Sequence, residues 1–266
     1  MKKILYVSVL LFMSAAVSCA NTSKCGIRLS GIMQEKTCDI SGSYSSLEVS
    51  NAVNVLYSSS AEKVTVKADS SVIRYVKVEE KGGCLKIYVF GQGTVRLTGR
   101  DMGKISAVVP ASGAIGTIRL MGASDFSSDA AIAADDLSVH VSGASGFNAD
   151  IEAERSVSMR ASGASDITSA VSADVLDVDA SGASDVSVSG KVGSYTVTVS
   201  GASSVSSGKA FIETESLKCN VSGASDAYVK CNSKADGQVS GASSIVVYGD
   251  GEVNISSSGA SSVRRR

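Results

Sequence analysis

The side chains best placed for chemistry recur at one position of a repeated phrase, SGASD or a close variant. Asp166 and Asp185 hold this position on consecutive repeats. If consecutive repeats stack as neighbouring strands, the two carboxylates lie about 4.8 Å apart, a spacing that suits the paired acids of a glycoside hydrolase. Ser204, Ser244 and Ser262 fill the same position, and both residue types satisfy backbone groups in turns. The pattern therefore favours turn capping over catalysis, and one carboxylate pair supplies too few oxygen ligands for calcium.

The remaining candidates for catalysis are weaker. His140 is the only histidine, and its place between Val139 and Val141 in an alternating stretch predicts a solvent-facing side chain. The sequence contains neither the GxSxG nucleophile elbow nor the GxxxxGK[ST] phosphate loop. Tyr228 and Tyr248 occupy alternating positions that should face solvent on neighbouring repeats, but they do not align in one column. They are therefore weak evidence for a carbohydrate-binding site. We expect no catalytic residue, no metal site and no cofactor.

The cysteines argue against a zinc site, and export, if the N-terminal signal is correct, would permit disulfides. Besides Cys19, the sequence has Cys25, Cys38, Cys84, Cys219 and Cys231, with no CxxC spacing. An odd count leaves at least one thiol unpaired unless it bonds between chains. Cys219 falls in an inward-facing column and is interpreted as a small buried hydrophobe. A Cys25–Cys38 disulfide is favoured over a Cys219–Cys231 disulfide.

The N-terminus predicts a lipoprotein signal. Lys2 and Lys3 precede an apolar run over residues 4–13, and Ala16-Val17-Ser18-Cys19 resembles a bacterial lipobox. We predict a signal peptide over residues 1–18, lipidation of Cys19 and a tether over residues 19–43. The alternative is an ordinary cleaved signal with an incidental cysteine, because Ala16 replaces the usual leucine. The apolar run is too short to span a membrane as a helix.

Charge and composition exclude two classes of protein. The 266-residue chain is 44% hydrophobic, which argues against disorder. Its formal net charge is −1, and it becomes −3 without the first 18 residues, which hold two lysines and no acidic residue. Such a balance argues against nucleic acid as a partner. A lipid anchor, rather than a basic surface, would supply membrane affinity.

The period of the repeat predicts the architecture. From residue 121 the phrase recurs in steps of 21, 20, 19, 19, 22, 18 and 18 residues. Alternating apolar residues precede it and an apolar column follows it, as in strands with one buried face. Three short strands per repeat describe a three-sided parallel β-helix with rungs of about 18–22 residues. Glycine at each corner tolerates positive φ and close stacking; these are Gly143, Gly163, Gly182, Gly201, Gly223, Gly241 and Gly259.

Residues 44–110 form a different half. They alternate like strands but lack the SGAS phrase, as in "EKVTVKA" and "VKVEEKGGCLKIYVF". We predict that they cover the N-terminal end of the coil, ahead of the regular repeats of residues 111–266, because terminal repeats of solenoids are atypical. Arg264, Arg265 and Arg266 fall on the last edge, where charge discourages pairing between molecules.

The combination of lipoprotein signal, the opening "YSSLEVSNAVNVLYSSSAEKVTVKADSSVIRYVKVEEKGGCLKIYV" and SGAS corners resembles the putative auto-transporter adhesin, head GIN domain family, found largely in Bacteroidetes. The likeness covers about residues 44–263. It implies a right-handed parallel β-helix in an exported, often lipid-anchored protein, and it supplies no catalytic residues. The segment "ANTSKCG" after the predicted cleavage site lacks the acidic residues of many surface-exported lipoproteins, which favours the periplasmic face of the outer membrane.

These observations predict a non-enzymatic, lipid-anchored envelope protein that presents a rigid β-helix for adhesion or assembly. Its expected partners are the membrane, through the lipid anchor, and a glycan or an envelope protein. The alternative is a glycan-active β-helix enzyme, such as a polysaccharide lyase or glycosidase. Clustered acidic and basic residues on one face would distinguish the enzyme, and in the sequence only the Asp corner meets that description.

Overall fold

The computed structural model describes residues 26–40, 43–90, 96–98, 104–206 and 211–266. Their fold is a parallel β-solenoid of about seven turns, which confirms the predicted all-β, β-helical fold class. A single 3-10 turn, Ile73–Tyr75, interrupts the strands. Within the described residues, no helix has the length and apolar character needed to cross a membrane.

The N-terminal part of the chain builds the first coil and the cap beneath it. Its strands are β1 (Gly26–Arg28), β2 (Met33–Cys38), β3 (Ser46–Ser50), β4 (Val53–Ser58), β5 (Val64–Asp69), β6 (Val76–Lys81), β7 (Cys84–Val89), β8 (Arg96–Thr98) and β9 (Ile105–Pro110). Strand β7 pairs parallel with β3, and β9 pairs parallel with β4. Strand β6 pairs antiparallel with β7, and β5 pairs antiparallel with β9. The antiparallel strands end the parallel stacking on this side of the solenoid.

The C-terminal part stacks coil on coil. Its strands are β10 (Thr117–Met121), β11 (Asp125–Ser128), β12 (Ile132–Gly143), β13 (Gly146–Asn148), β14 (Ile151–Gly163), β15 (Asp166–Ala180), β16 (Asp185–Val199), β17 (Ser204–Ser206), β18 (Ile212–Val221), β19 (Asp226–Val239), β20 (Ser244–Tyr248), β21 (Glu252–Ser257) and β22 (Ser262–Arg265). Strands β10 and β11 stack on β3 and β4, so the cap and the repeats form one continuous sheet system.

The N-terminal segment differs from the predicted tether over residues 19–43. Strand β2 pairs antiparallel with β5 along Met33–Cys38, so this stretch belongs to the sheet. The Asp69 carboxylate fixes its start by accepting hydrogen bonds from the backbone N–H groups of Ser30 (3.1 Å) and Gly31 (2.7 Å). Hydrogen bonds from Ser71 and Ser30 hold the pKa of Asp69 well below its usual range. Because the ionised form is the one stabilised, this attachment weakens only as pH falls through that lowered pKa.

Alternate residues of each coil point inward and fill the core. The apolar residues before the SGAS phrase, such as Leu137, Val139 and Val141, are buried in almost every coil. The apolar residue just after the phrase, such as Phe126 or Ile167, is buried as well. The last coil is the exception, since Val253, Ile255 and Val263 are only partly buried. Among the described residues no coil covers the outer side of these three, so they are less buried than the matching residues of inner coils.

Three tyrosines lie inside the solenoid with different hydrogen bonding, and they yield a stability prediction. Tyr57 donates to the Ser112 carbonyl (3.0 Å) and accepts from the Ser112 N–H (2.7 Å). The Tyr195 hydroxyl is the one buried side-chain N or O atom without a partner among the described residues. We expect Tyr57→Phe to destabilise by about 1–3 kcal/mol, because a buried N–H loses its acceptor. Tyr195→Phe is expected to stabilise by about 1 kcal/mol, because a desolvated hydroxyl is removed.

Urea unfolding of both single variants measures this difference. Tyr44→Phe serves as a second hydrogen-bonded control, because its hydroxyl donates to the Pro110 carbonyl at 2.5 Å. A loss of stability in Tyr195→Phe equal to that in Tyr57→Phe would contradict the assignment of an unpartnered hydroxyl.

Candidate functional surface

The SGAS phrase forms a corner whose shape is set by backbone conformation and backbone hydrogen bonds. The seven predicted corner glycines all have positive φ, between 75° and 88°. Each corner also hydrogen-bonds to the one before it: the Ala183 N–H donates to the Gly163 carbonyl at 2.7 Å and the Ala202 N–H to the Gly182 carbonyl at 2.8 Å. A side chain at these glycines would enter the space of the preceding corner. The corner therefore fixes the spacing of the coils.

The serine that ends SGAS is buried in the inner coils and partly buried at Ser261, and in five coils its hydroxyl completes the turn. The Ser165 hydroxyl donates to the Ser162 carbonyl at 2.7 Å, and the Ser184 hydroxyl donates to the Ser181 carbonyl at 2.9 Å. The same bond to the carbonyl three residues earlier recurs at Ser145, Ser225 and Ser261. These hydroxyls are committed to the backbone, so they are unsuited to act as nucleophiles.

The Asp corner does not assemble a site of several ligands. Asp166 and Asp185 are direct partners in the parallel register, and both side chains are exposed. One coil pair shows the use of this position: the Ser244 hydroxyl donates to the Asp226 carboxylate of the preceding coil. The described residues contain no group of three or more His, Cys, Asp or Glu that could hold a metal ion. The geometry supports hydrogen bonding between coils at the corner.

The strand segments that precede the corners form a flat parallel sheet, which we call the leading sheet. It comprises β3, β7, β10, β21 and the C-terminal halves of β12, β14, β15, β16, β18 and β19. The residue two places before each corner faces outward, and the strand register places these residues in one file: Lys86, Glu48, Arg119, His140, Arg160, Asp179, Thr198, Asn220, Gln238 and Ser256. Every member carries a polar hydrogen-bonding group.

A second outward file lies two residues earlier on the same sheet. It contains Ser46, Thr117, Ser138, Ser158, Asp177, Thr196, Lys218, Asp236 and Asn254. Neighbouring strands in a sheet are about 4.8 Å apart, so the two files form a regular grid of donors and acceptors. The leading sheet is therefore an extended and ordered polar surface.

His140 occupies the centre of a run of three basic residues in the first file. Its register partners on the two adjacent strands are Arg119 and Arg160. The side chain faces outward as predicted, but it is partly buried, and its Nε2 lies 3.0 Å from the Ser138 hydroxyl. Burial, followed by repulsion from the two guanidinium groups, lowers the pKa of His140. The imidazole is therefore largely neutral at neutral pH and can exchange hydrogen bonds with a ligand.

The sequence contains a signal for this run of basic residues, although the residues were not among the predicted site residues. Arg119, His140 and Arg160 each lie two residues before a corner phrase, so an alignment of the coils on that phrase places them in one column. The signal is a match of basic residues between coils, whereas pairs of carboxylates are the usual mark of a glycoside hydrolase.

A groove with acidic walls runs along the bend that precedes the leading sheet, where the register of β12 and β14 shifts. It has a volume of about 830 Å³, with Ala133, Ala134 and Ala153 among its small lining residues. Asp135 and Asp136 line it and are bridged by Arg155, whose guanidinium lies 2.6 Å from the Asp136 carboxylate. This bridge lowers the pKa of Asp136. The sequence offers little signal for this groove, because the phrase that bounds each repeat lies at another corner of the coil.

The cysteines and aromatic residues carry no assembled site. Cys38, Cys84, Cys219 and Cys231 are free thiols, and the favoured partner Cys25 lies outside the described residues, as does Cys19. Cys219 is buried as predicted, and burial raises its pKa to about 12, so its thiol is unreactive. Tyr248 packs against Phe211 with ring centroids 4.6 Å apart, a pair that the sequence did not suggest.

Comparison with known proteins gives consistent results. Residues 43–251 match the family model described as putative auto-transporter adhesin, head GIN domain. A putative adhesin from Parabacteroides distasonis is 18% identical, with a TM-score of 0.78 over 91% of this chain and 100% of that one. A putative lipid binding protein from the same organism has the same identity and TM-score, and the match covers 91% of this chain and 99% of that one. A putative adhesin from Parabacteroides merdae is 13% identical, with a TM-score of 0.75 over 91% and 99%. The search of curated proteins gives no match.

Proposed function

Because the chain belongs to the putative auto-transporter adhesin, head GIN domain family, we propose that it is a non-enzymatic adhesion protein of the cell envelope that binds glycan through its leading sheet. The family and the structural neighbours are named for adhesion or lipid binding, which supports a binding role. The observation that carries the choice of surface is the polar grid, which is held in fixed register by the stacked coils. Preorganised donors and acceptors lose little entropy when a ligand binds.

The lipid anchor is the second part of the proposal. Cys19 follows a short basic and apolar leader, and a thiol at that position would carry the lipid after cleavage. The segment after it lacks acidic residues, which supports the periplasmic face of the outer membrane. Attachment through β2, which is fixed to the cap by β5, would present the solenoid at a short distance from the membrane.

Fractionation tests the anchor. We expect the wild-type protein to partition into detergent and to carry lipid on Cys19 by mass spectrometry. Cys19→Ser should be unprocessed or soluble, because no thiol is available for lipidation. Cys25→Ser is the matched control, since it removes a nearby cysteine outside the lipobox. Wild-type protein without lipid would contradict the proposed localisation.

A glycan array tests the adhesion function and the choice of surface. We expect binding to at least one glycan, with at least a tenfold loss in an Asn220→Ala/Gln238→Ala variant, since two exposed hydrogen-bonding side chains of the leading sheet are removed. Thr168→Ala/Ser187→Ala, on the sheet that follows the corner, is the control. Failure to retain any glycan would refute glycan adhesion. Release of cleaved oligosaccharide that disappears in Asp166→Asn/Asp185→Asn would establish the enzymatic alternative.

A further inference from the structure

Two arginines on the leading sheet lack the acidic partners that Lys86, Arg155 and Lys230 have. Lys86 lies 2.8 Å from Glu48, Arg155 lies 2.6 Å from Asp136 and Lys230 lies 2.5 Å from Glu213. Arg119 and Arg160 are both exposed, and neither has a carboxylate within 4 Å among the described residues. Their guanidinium groups are therefore available to a ligand from solvent.

The register directs both arginines to one place. Arg119 and Arg160 flank His140 on the adjacent strands, so their backbones are two strand spacings, or about 9.6 Å, apart. Long side chains can converge over the imidazole from this distance. The Ser138 hydroxyl, 3.0 Å from Nε2, adds a further hydrogen-bonding group beside the same point. The two guanidinium groups and the hydroxyl therefore surround one point of the surface with hydrogen-bond donors.

Acidic residues lie at both ends of the run of basic residues that Arg119, His140 and Arg160 form. Glu48 precedes Arg119 in the file, and Asp179 follows Arg160. Beyond Asp179 the file continues with neutral hydrogen-bonding side chains, from Thr198 to Ser256. The positive region therefore has room for one anionic group, and the groups on either side suit hydroxyl donors.

We propose that Arg119, His140 and Arg160 bind the carboxylate or sulfate group of an acidic sugar residue within a longer, otherwise neutral glycan. The proposal rests on the glycan adhesion function above and specifies its ligand class. Guanidinium groups form strong charge-assisted bonds to such anions. Neighbouring sugar hydroxyls would donate to Glu48 and Asp179 along the same file. An anionic bilayer is the less favourable partner, because a flat surface would also meet Asp177 and Asp179, which are exposed on the same sheet.

Binding of matched glycans tests the site. The probes are an oligosaccharide with one uronic acid residue among neutral sugars, the same oligosaccharide with that carboxylate esterified, and a neutral polysaccharide. Vesicles containing phosphatidylglycerol are a separate arm. We expect Arg119→Gln/Arg160→Gln to lose about tenfold or more in affinity for an acidic glycan, with binding to neutral glycans unchanged. Arg155→Gln/Lys191→Gln removes the same charge on another side of the coil and should leave binding intact. Arg119→Lys/Arg160→Lys should restore part of the affinity, and added salt should weaken it.

The outcomes separate this proposal from the function on which it rests. Binding to neutral glycans with no preference for acidic ones would overturn the site and leave glycan adhesion standing. Equal losses in the Arg119/Arg160 and Arg155/Lys191 variants would show that only net charge matters and would also overturn the site. Binding to phosphatidylglycerol vesicles, lost in Arg119→Gln/Arg160→Gln and absent for acidic glycans, would assign the cations to a membrane instead. Binding to no glycan at all would refute the adhesion function itself.

Discussion

Gly182→Val is expected to lower the unfolding free energy by about 3–5 kcal/mol, through backbone strain and overpacking together. Gly182 has φ of +82°, and a Cβ there would lie 2.6 Å from the Gly163 carbonyl oxygen. That oxygen accepts the hydrogen bond from the Ala183 N–H, so a side chain would disrupt the bond that joins the two corners. For a domain of this size we expect the thermal midpoint to fall by about 10 °C.

Two other glycines separate the causes of this loss. Gly122 also has positive φ, +66°, but the nearest atom to its Cβ position is 3.6 Å away, so Gly122→Ala reports strain without a clash. Gly259→Val meets the Gly241 carbonyl oxygen at 3.0 Å, with a neighbouring coil on one side only, and its coil can fray locally. Gly182→Val should therefore be the most damaging of the three in differential scanning calorimetry. Equal, small losses at Gly182 and Gly259 would mean that the corner is not tightly stacked.

Phe126→Ala is expected to cost about 3–5 kcal/mol, because it opens a cavity where the cap meets the repeats. Phe126 is buried on β11 and stacks on Phe147 of the next coil, with ring centroids 5.1 Å apart and planes at 5°. On the other side it contacts Tyr57 of the first coil at a centroid distance of 5.8 Å. The three rings form a ladder across the junction. Its loss should weaken the coupling between the cap and the solenoid.

Urea unfolding followed by hydrogen exchange tests this role. We expect Phe126→Ala to raise exchange in β3 and β4 more than in β15 and β16, since the cavity lies beside the first coil. Phe126→Leu should recover much of the stability because it refills most of the volume. Ile167→Ala, at the same position of a mid-array coil, is the control for cavity formation away from the cap. An identical exchange pattern in Phe126→Ala and Ile167→Ala would contradict a junction role.

The structure decided several features because they depend on contacts that leave no period in the sequence. The cap pairs β2 with β5 and β5 with β9 in antiparallel fashion, and such pairings join segments far apart in the chain. The exposed strand Met33–Cys38 lacks the apolar alternation that marks a half-buried strand, so it was assigned to the tether. The groove beside Asp136 lies at a bend whose length differs from coil to coil. When the coils are aligned on the corner phrase, the residues at this bend no longer match one another.

The sequence by itself determined the solenoid, its inward columns and its corners. In a stacked coil every rung has the same surroundings, so one local solution recurs and the repeat period maps directly onto the structure. Gly163 and Gly182 could therefore be assigned to corners from spacing alone. Tertiary structure decided how side chains are paired and buried. Arg155 is bridged to Asp136, whereas Arg119 and Arg160 are exposed and have no carboxylate within 4 Å in the part of the chain that the structure describes. The physical reason is that a period fixes which backbone positions are neighbours, whereas side-chain pairing and burial depend on rotamers and on the depth of each site.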